Sequence, residues 1–307
     1  MWRTVIINRG ERIKIKDNWL VVEGGGVPDK VPINELYSVI VDNRQSSLTV
    51  AALNKLTENG IHILICNDKH IPESLIIPFN THYRPYNVMK KQIAMTDEFK
   101  KLLWQKVTIA KIANQAEVLK LQDGEANVYE HLIKFCSEVE IGDKTNREGL
   151  AAKMFFRHLY GSEFVRMADD AINSALNYGY AIIRSAIART LCAYGYCCVL
   201  GIHHISESNA YNLADDLMEP LRPLVDLWVD SHKEDLYEEL TVNNRKCLAN
   251  LMNVSIELSG KNMAVRNAID KYISSFTTAV NKNDETKLVL PKITRKTKEW
   301  SGYEDGE

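Results

Sequence analysis

The chain carries no proline between Pro85 and Pro220. A proline inside a helix removes a hydrogen bond and clashes with the preceding turn, at a cost of ~3 kcal/mol. A proline-free stretch of this length, filled with Ala, Leu, Lys, Gln and Glu, reads as a helical domain. Its periodicity predicts helices over Glu98–Gln122, Asn127–Cys136, about Asn146–Tyr160 and Ala175–Ala193, the last apolar on most sides and so expected in the core. Further helices are expected over Pro223–Leu240, Val242–Met252 and Met263–Val280.

The first eighty residues have a different period. Arg12-Ile13-Lys14-Ile15-Lys16 alternates as a strand with one wet face should. Trp19–Glu23, Leu36–Asp42, Ile61–Cys66 and Leu75–Ile77 are further strand candidates, and Gly24-Gly25-Gly26 is a turn. Ser46 or Ser47 can cap a short helix carrying Leu48, Ala52, Leu53 and Leu56, which Gly60 would stop. Pro72, Pro78 and Pro85 punctuate the end of this region. The expected class is α+β: a small N-terminal β-sheet domain with one helix over residues 1–82, an all-α domain over 83–285, and a basic, flexible tail over 286–307. From Lys287 to Lys298 that tail has five basic residues and no acid. It is either a solvated end or a phosphate contact.

At 307 residues, with 45% apolar and 25% charged residues, the composition is that of a globular protein. A net charge of −2 excludes a globally basic binder, but not a basic face beside an acidic site. No segment has the roughly 18 consecutive apolar residues of a membrane span, and Met1–Asn8 lacks a secretory core. The six cysteines form no CxxC pair, so reduced thiols in a cytoplasm are expected and zinc is not. The glycine run lacks the Gly-Lys-Ser/Thr of a phosphate loop.

Chemistry concentrates in two places. Gly201-Ile202-His203-His204 precedes Asn212-Leu213-Ala214-Asp215-Asp216-Leu217-Met218-Glu219-Pro220. If 212–219 is helical, Leu213 and Leu217 form one stripe, and Asp215 or Asp216 can lie near Glu219 on the other side. Pro220 predicts a kink or restart at Glu219. Carboxylates beside an imidazole suit Mg²⁺ or Mn²⁺, although a helix ending Asp-Asp-x-x-Glu is usually a solvated face. The second place is Glu148, in the first turn of a helix capped by Thr145 or Asn146, where the helix dipole alone would favour a carboxylate.

Taken together, Asn146-Arg147-Glu148-Gly149-Leu150, Asn177-Tyr178-Gly179-Tyr180, Gly201-Ile202-His203-His204 and Asp216-Leu217-Met218-Glu219-Pro220-Leu221-Arg222-Pro223 resemble, in order and separation, the motifs of the CRISPR-associated spacer-acquisition integrases, the first of the numbered Cas proteins. Lys111–Gln115 matches a helix upstream of them. The flavour is that of the type II subtype. The resemblance implies that Glu148, His204 and Glu219 are metal ligands and catalytic residues, with Asp216 an accessory acid. It implies Mg²⁺ or Mn²⁺, and attack by the 3′-hydroxyl of a captured double-stranded DNA fragment on a phosphodiester at a CRISPR repeat.

The implied partners are a second copy of the chain, the small second adaptation protein in a heterohexamer, a DNA-end-binding accessory protein and the effector nuclease. The implied setting is a prokaryotic cytoplasm, with no membrane. Arg222, Arg245, Lys246 and the tail are candidate phosphate contacts. Two other functions compete with integration: a general or branch-selective DNA nuclease using the same site, and a catalytically idle DNA-binding scaffold.

Overall fold

The computed structural model describes residues 1–24, 27–78, 82–236 and 239–301. Gly25 and Gly26 of the expected glycine turn, and residues 302–307 of the expected tail, lie outside them. The chain divides into two compact units. One comprises residues 1–81 and 241–250, the other 82–240 and 251–307.

The first unit holds β1 (Arg3–Ile7), β2 (Arg12–Lys16), β3 (Trp19–Glu23), β4 (Asp29–Pro32), β5 (Leu36–Val41), β6 (Ser47–Leu48), α1 (Val50–Glu58), β7 (His62–Cys66) and β8 (Pro72–Ile76). Two four-stranded sheets result, in the orders β1-β5-β7-β8 and β4-β3-β2-β6. In the first, β5 lies parallel to both β1 and β7 and is buried along its whole length. That placement explains a continuous apolar run rather than an alternating one. Ile7, Ile13, Leu20, Leu36, Val39, Leu56 and Ile63 meet in one core. The cap of α1 differs from expectation. Ser47 and Leu48 pair with Arg12 and Ile13 as a strand, and Thr49 accepts the Ala52 N–H instead.

A later helix, residues Val242–Asn250, belongs to this unit. Asp42, at the end of β5, is buried and bound by Arg245 Nε at 2.7 Å and His70 Nδ1 at 2.8 Å. A buried carboxylate is tolerable only with such partners. Arg245 is therefore a structural residue of this unit, not the phosphate contact expected of it.

The second unit holds α2 (Pro85–Ile93), α3 (Asp97–Leu121), α4 (Ala126–Glu138), α5 (Arg147–Tyr160), α6 (Ala171–Ala193), α7 (Asn212–Met218) and α8 (Arg222–Ser231). With the Val242–Asn250 helix counted as α9, the chain then continues through β9 (Ser255–Leu258), β10 (Lys261–Ala264), α10 (Val265–Lys282) and α11 (Arg295–Ser301). Helix α3 packs on α4, α5 and α8, and α6 packs on α7, α8 and α10.

Two elements here go beyond the sequence reading. Pro85 opens α2, where its missing N–H costs nothing. β9 and β10 form an antiparallel hairpin whose turn, Ser259-Gly260, has φ of 53° and 73°, so Met263 extends a strand and not α10. Residues 288–293 lie against α3. Asn114 donates to Pro220 O and Pro291 O and accepts from Ile293 N. Among the described residues no helix is long and apolar enough to cross a membrane.

Candidate metal centre

All the candidate ligands lie in the second unit. At the start of α5, Asn146 takes a left-handed φ of 53° and its side chain accepts the Gly149 N–H. The Asp143 carboxylate accepts the N–H groups of Arg147 (2.8 Å) and Glu148 (3.0 Å). These caps satisfy donors that a helix start leaves open, and they fix the backbone at Glu148. Of the two cap candidates, the structure selects Asn146. The side chain of Glu148 turns to α3, where Lys111 donates to Oε1.

The histidines sit in the loop between α6 and α7. Gln92 of α2 pins that loop, donating to Cys197 O and Leu200 O and accepting from Cys197 N. Asp216 organises its far end. This residue is fully buried and accepts four hydrogen bonds: from the N–H groups of Ile202 (2.6 Å), His203 (3.0 Å) and His204 (3.0 Å), and from His204 Nδ1 (2.6 Å). The loop closes so tightly here that a Cβ on Gly201 would lie 2.3 Å from His204 O and 2.7 Å from Asp216 Oδ2. Glycine is required.

Neighbouring histidines part company. His203 stacks flat on Trp104 of α3 with centroids 4.0 Å apart, and burial lowers its pKa. The His204 side chain is 42% exposed. The Asp216 hydrogen bond raises the His204 pKa and engages Nδ1, so that Nε2 is the nitrogen left for a ligand. Asp216 is thus a positioning residue, buried where spacing alone suggested a solvated face.

Glu219 follows the last residue of α7 and keeps right-handed helical angles (φ −51°, ψ −43°) despite Pro220. The chain absorbs the proline by switching to a 3-10 turn over Glu219–Leu221 and restarting as α8. Glu219 is buried, paired with Arg222 Nε at 2.8 Å and Lys111 Nζ at 2.5 Å. Burial would raise its pKa, but Arg222 and Lys111 outweigh burial and hold it low. Arg222 also covers the Tyr180 ring at 4.7 Å. This guanidinium, on a side chain 27% exposed, is engaged by both Glu219 and the Tyr180 ring. Asp215 pairs with Arg184 at 2.8 Å.

The structure therefore brings Glu148 and Glu219 to one point, the Lys111 ammonium. His204 lies within electrostatic reach of Glu219. As they stand, no three His, Cys, Asp or Glu side chains among the described residues form a closed ligand set. The donor chemistry nonetheless fits a hard divalent cation: two carboxylates that already share one positive charge, and an imidazole held in the ligating tautomer. Sequence reasoning noticed the Lys111–Gln115 segment but gave Lys111 no role. The signal was present: Lys111 falls on the buried stripe Trp104, Val107, Thr108, Lys111, Gln115 at helical spacing.

A sequence profile for the family described as CRISPR associated protein Cas1 matches residues 4–232. The chain is 36% identical over 294 residues to the CRISPR-associated endonuclease Cas1 of Neisseria meningitidis serogroup C (strain 8013), covering 95% of this chain and 96% of that protein.

The chain belongs to the Cas1 family.

A second Cas1 relative, CRISPR-associated endonuclease Cas1 2 of Pyrobaculum aerophilum, is 25% identical over 260 residues, covering 80% of this chain and 88% of that one. Among solved structures, a casposase bound to integration product superposes with a TM-score of 0.74 at 17% identity, covering 93% of each chain. The Cas1 protein of Thermotoga maritima gives 0.69 at 14% identity, covering 91% of this chain and 96% of that one. A Cas6-RT-Cas1–Cas2 complex gives 0.73 at 18% identity, covering 95% of this chain and 36% of that chain. At these identities the likeness is one of fold, and it fits the α+β class.

Proposed function

We propose that this protein is a metal-dependent DNA integrase that inserts captured DNA fragments into a CRISPR array. One observation carries the reading: two buried or half-buried carboxylates from distant parts of the chain, Glu148 and Glu219, converge on a single cationic point. An imidazole aligned by Asp216 lies within electrostatic reach of Glu219. Kinship with proteins named endonucleases, and a shared fold with a casposase bound to integration product, support it.

Glu148, Glu219 and His204 Nε2 would hold a Mg²⁺ or Mn²⁺ ion. Bound there, the ion supplies neutralising charge to a phosphodiester and lowers the pKa of an attacking hydroxyl. The chain's own part is preorganisation. Asp216 keeps His204 in one tautomer, Trp104 and His203 brace the loop from α3, and Asp143 with Asn146 fixes the backbone of Glu148. Arg222 holds Glu219 ionised. None of these groups need move when charge develops, which is the condition for electrostatic catalysis.

The proposal extends to a homodimer working with a Cas2 protein on double-stranded DNA in the cytoplasm of a type II system, with a DNA-end-binding accessory protein and the effector nuclease as further partners. The structural likeness to a Cas1–Cas2 complex supports the first of these partners.

The test is strand transfer. The protein, a Cas2 partner and Mn²⁺ are incubated with a duplex bearing free 3′-hydroxyls and a repeat-bearing plasmid. Joined strands that vanish with Glu219→Gln are expected. Shortened strands without joining would make the protein a nuclease, and joining that persists in His204→Ala would defeat the site assignment.

A further inference from the structure

Among the described residues, Lys111 is the one cation paired with both glutamates. Its side chain is 9% exposed, donates to Glu148 Oε1 and lies 2.5 Å from Glu219 Oε2. The ammonium is thus paired with both carboxylates at once. The carboxylates need it: two like charges brought together without a counter-ion repel. A divalent ion bound by the same carboxylates would meet this ammonium at close range, and the two cations would repel.

We propose that Lys111 is a built-in counter-ion of the Glu148–Glu219 pair that competes with the divalent cation. It holds both carboxylates together, and ion binding requires it to surrender at least one of them. The inference rests on the metal centre proposed above. Its consequence is an affinity set below what the donor set could deliver. A site that held its ion less tightly would load fully only when another group, such as substrate phosphate, shared in binding it.

The experiment is calorimetric titration of Mn²⁺ into the full-length wild type and into Lys111→Met, with melting curves of each in EDTA and in Mn²⁺. Removing the ammonium is expected to lower the melting temperature in EDTA, enlarge the rise produced by Mn²⁺, and tighten Mn²⁺ binding on the order of tenfold. A residue that merely scaffolds the site would lower the affinity instead. Wild-type binding with equal or weaker binding in Lys111→Met overturns the competitor role and leaves the metal centre intact. Absence of Mn²⁺ binding to the wild type is a different failure, that of the metal centre itself, and it removes this proposal too. If Lys111→Met does not fold in either buffer, Lys111→Gln, which keeps a donor for one carboxylate, carries the same comparison.

Discussion

The residue with the most to lose is Asp216. It makes no contact with Glu148 or Glu219 in the hydrogen-bond network, yet three consecutive backbone N–H groups and one imidazole depend on it. Asp216→Asn can still accept through one oxygen, but it turns a donor toward the remaining N–H groups. Orphaned buried donors cost ~1–3 kcal/mol each, so a loss of about 3 kcal/mol is expected by denaturant titration. Misaligning the imidazole should weaken Mn²⁺ binding by roughly 10–100-fold, as removal of partners behind a metal ligand does. An Asn variant with wild-type stability and affinity would remove Asp216 from the account. Gly201→Ala tests the same loop from outside. Its Cβ would lie within 2.7 Å of both His204 O and Asp216 Oδ2, so the loop must shift. Strand transfer should fall even where the melting curve shows a folded protein.

At the level of elements, α8 carries a titrating group behind the site. Tyr180 of α6 donates its hydroxyl to Asp226 of α8. Burial pushes Asp226 from 3.8 up to about 7, against the opposing effect of that hydrogen bond. The folded chain then keeps a proton that the unfolded chain releases above about pH 4. This group's contribution is full below that pH and is lost as pH rises to about 7, where it levels off. Asp226→Asn should flatten this part of the stability profile, measured as melting temperature between about pH 4 and 8. An unchanged slope would show that Asp226 ionises normally.

The helices themselves were largely legible. α3, α5 and α6 follow from spacing and from the absence of proline. α2 was not, because a proline at a helix start looks like punctuation. Nor was the β9–β10 hairpin, whose short strands leave no period to count. At the site, spacing marked His204, Asp216 and Glu219 as neighbours in the chain, but only resemblance joined Glu148 to them. The split between Asp215, turned to Arg184, and Asp216, turned to the histidine loop, depends on partners from other helices that no local pattern encodes.

Across the whole molecule the chain leaves the helical unit near residue 240, contributes α9 to the β unit, and returns. Sequence order hid this excursion, since α9 reads as one more helix in a helical run. Its anchor is Arg245 on Asp42, with both side chains buried. Arg245→Met would strand a buried carboxylate, at a cost of about 3–5 kcal/mol. Proteolysis of the folded protein should then cut first near residues 241–250, and an unchanged cleavage pattern would show that α9 is held by other contacts. The proposed metal centre lies in the helical unit.

The most direct measurement of that centre is a crystal of the full chain soaked in Mn²⁺, with data collected at the manganese edge. The account predicts one anomalous peak per chain, bonded to Glu148, Glu219 and His204 Nε2. A peak ligated by other residues, or none with Lys111 still bridging both glutamates at saturating Mn²⁺, would contradict it.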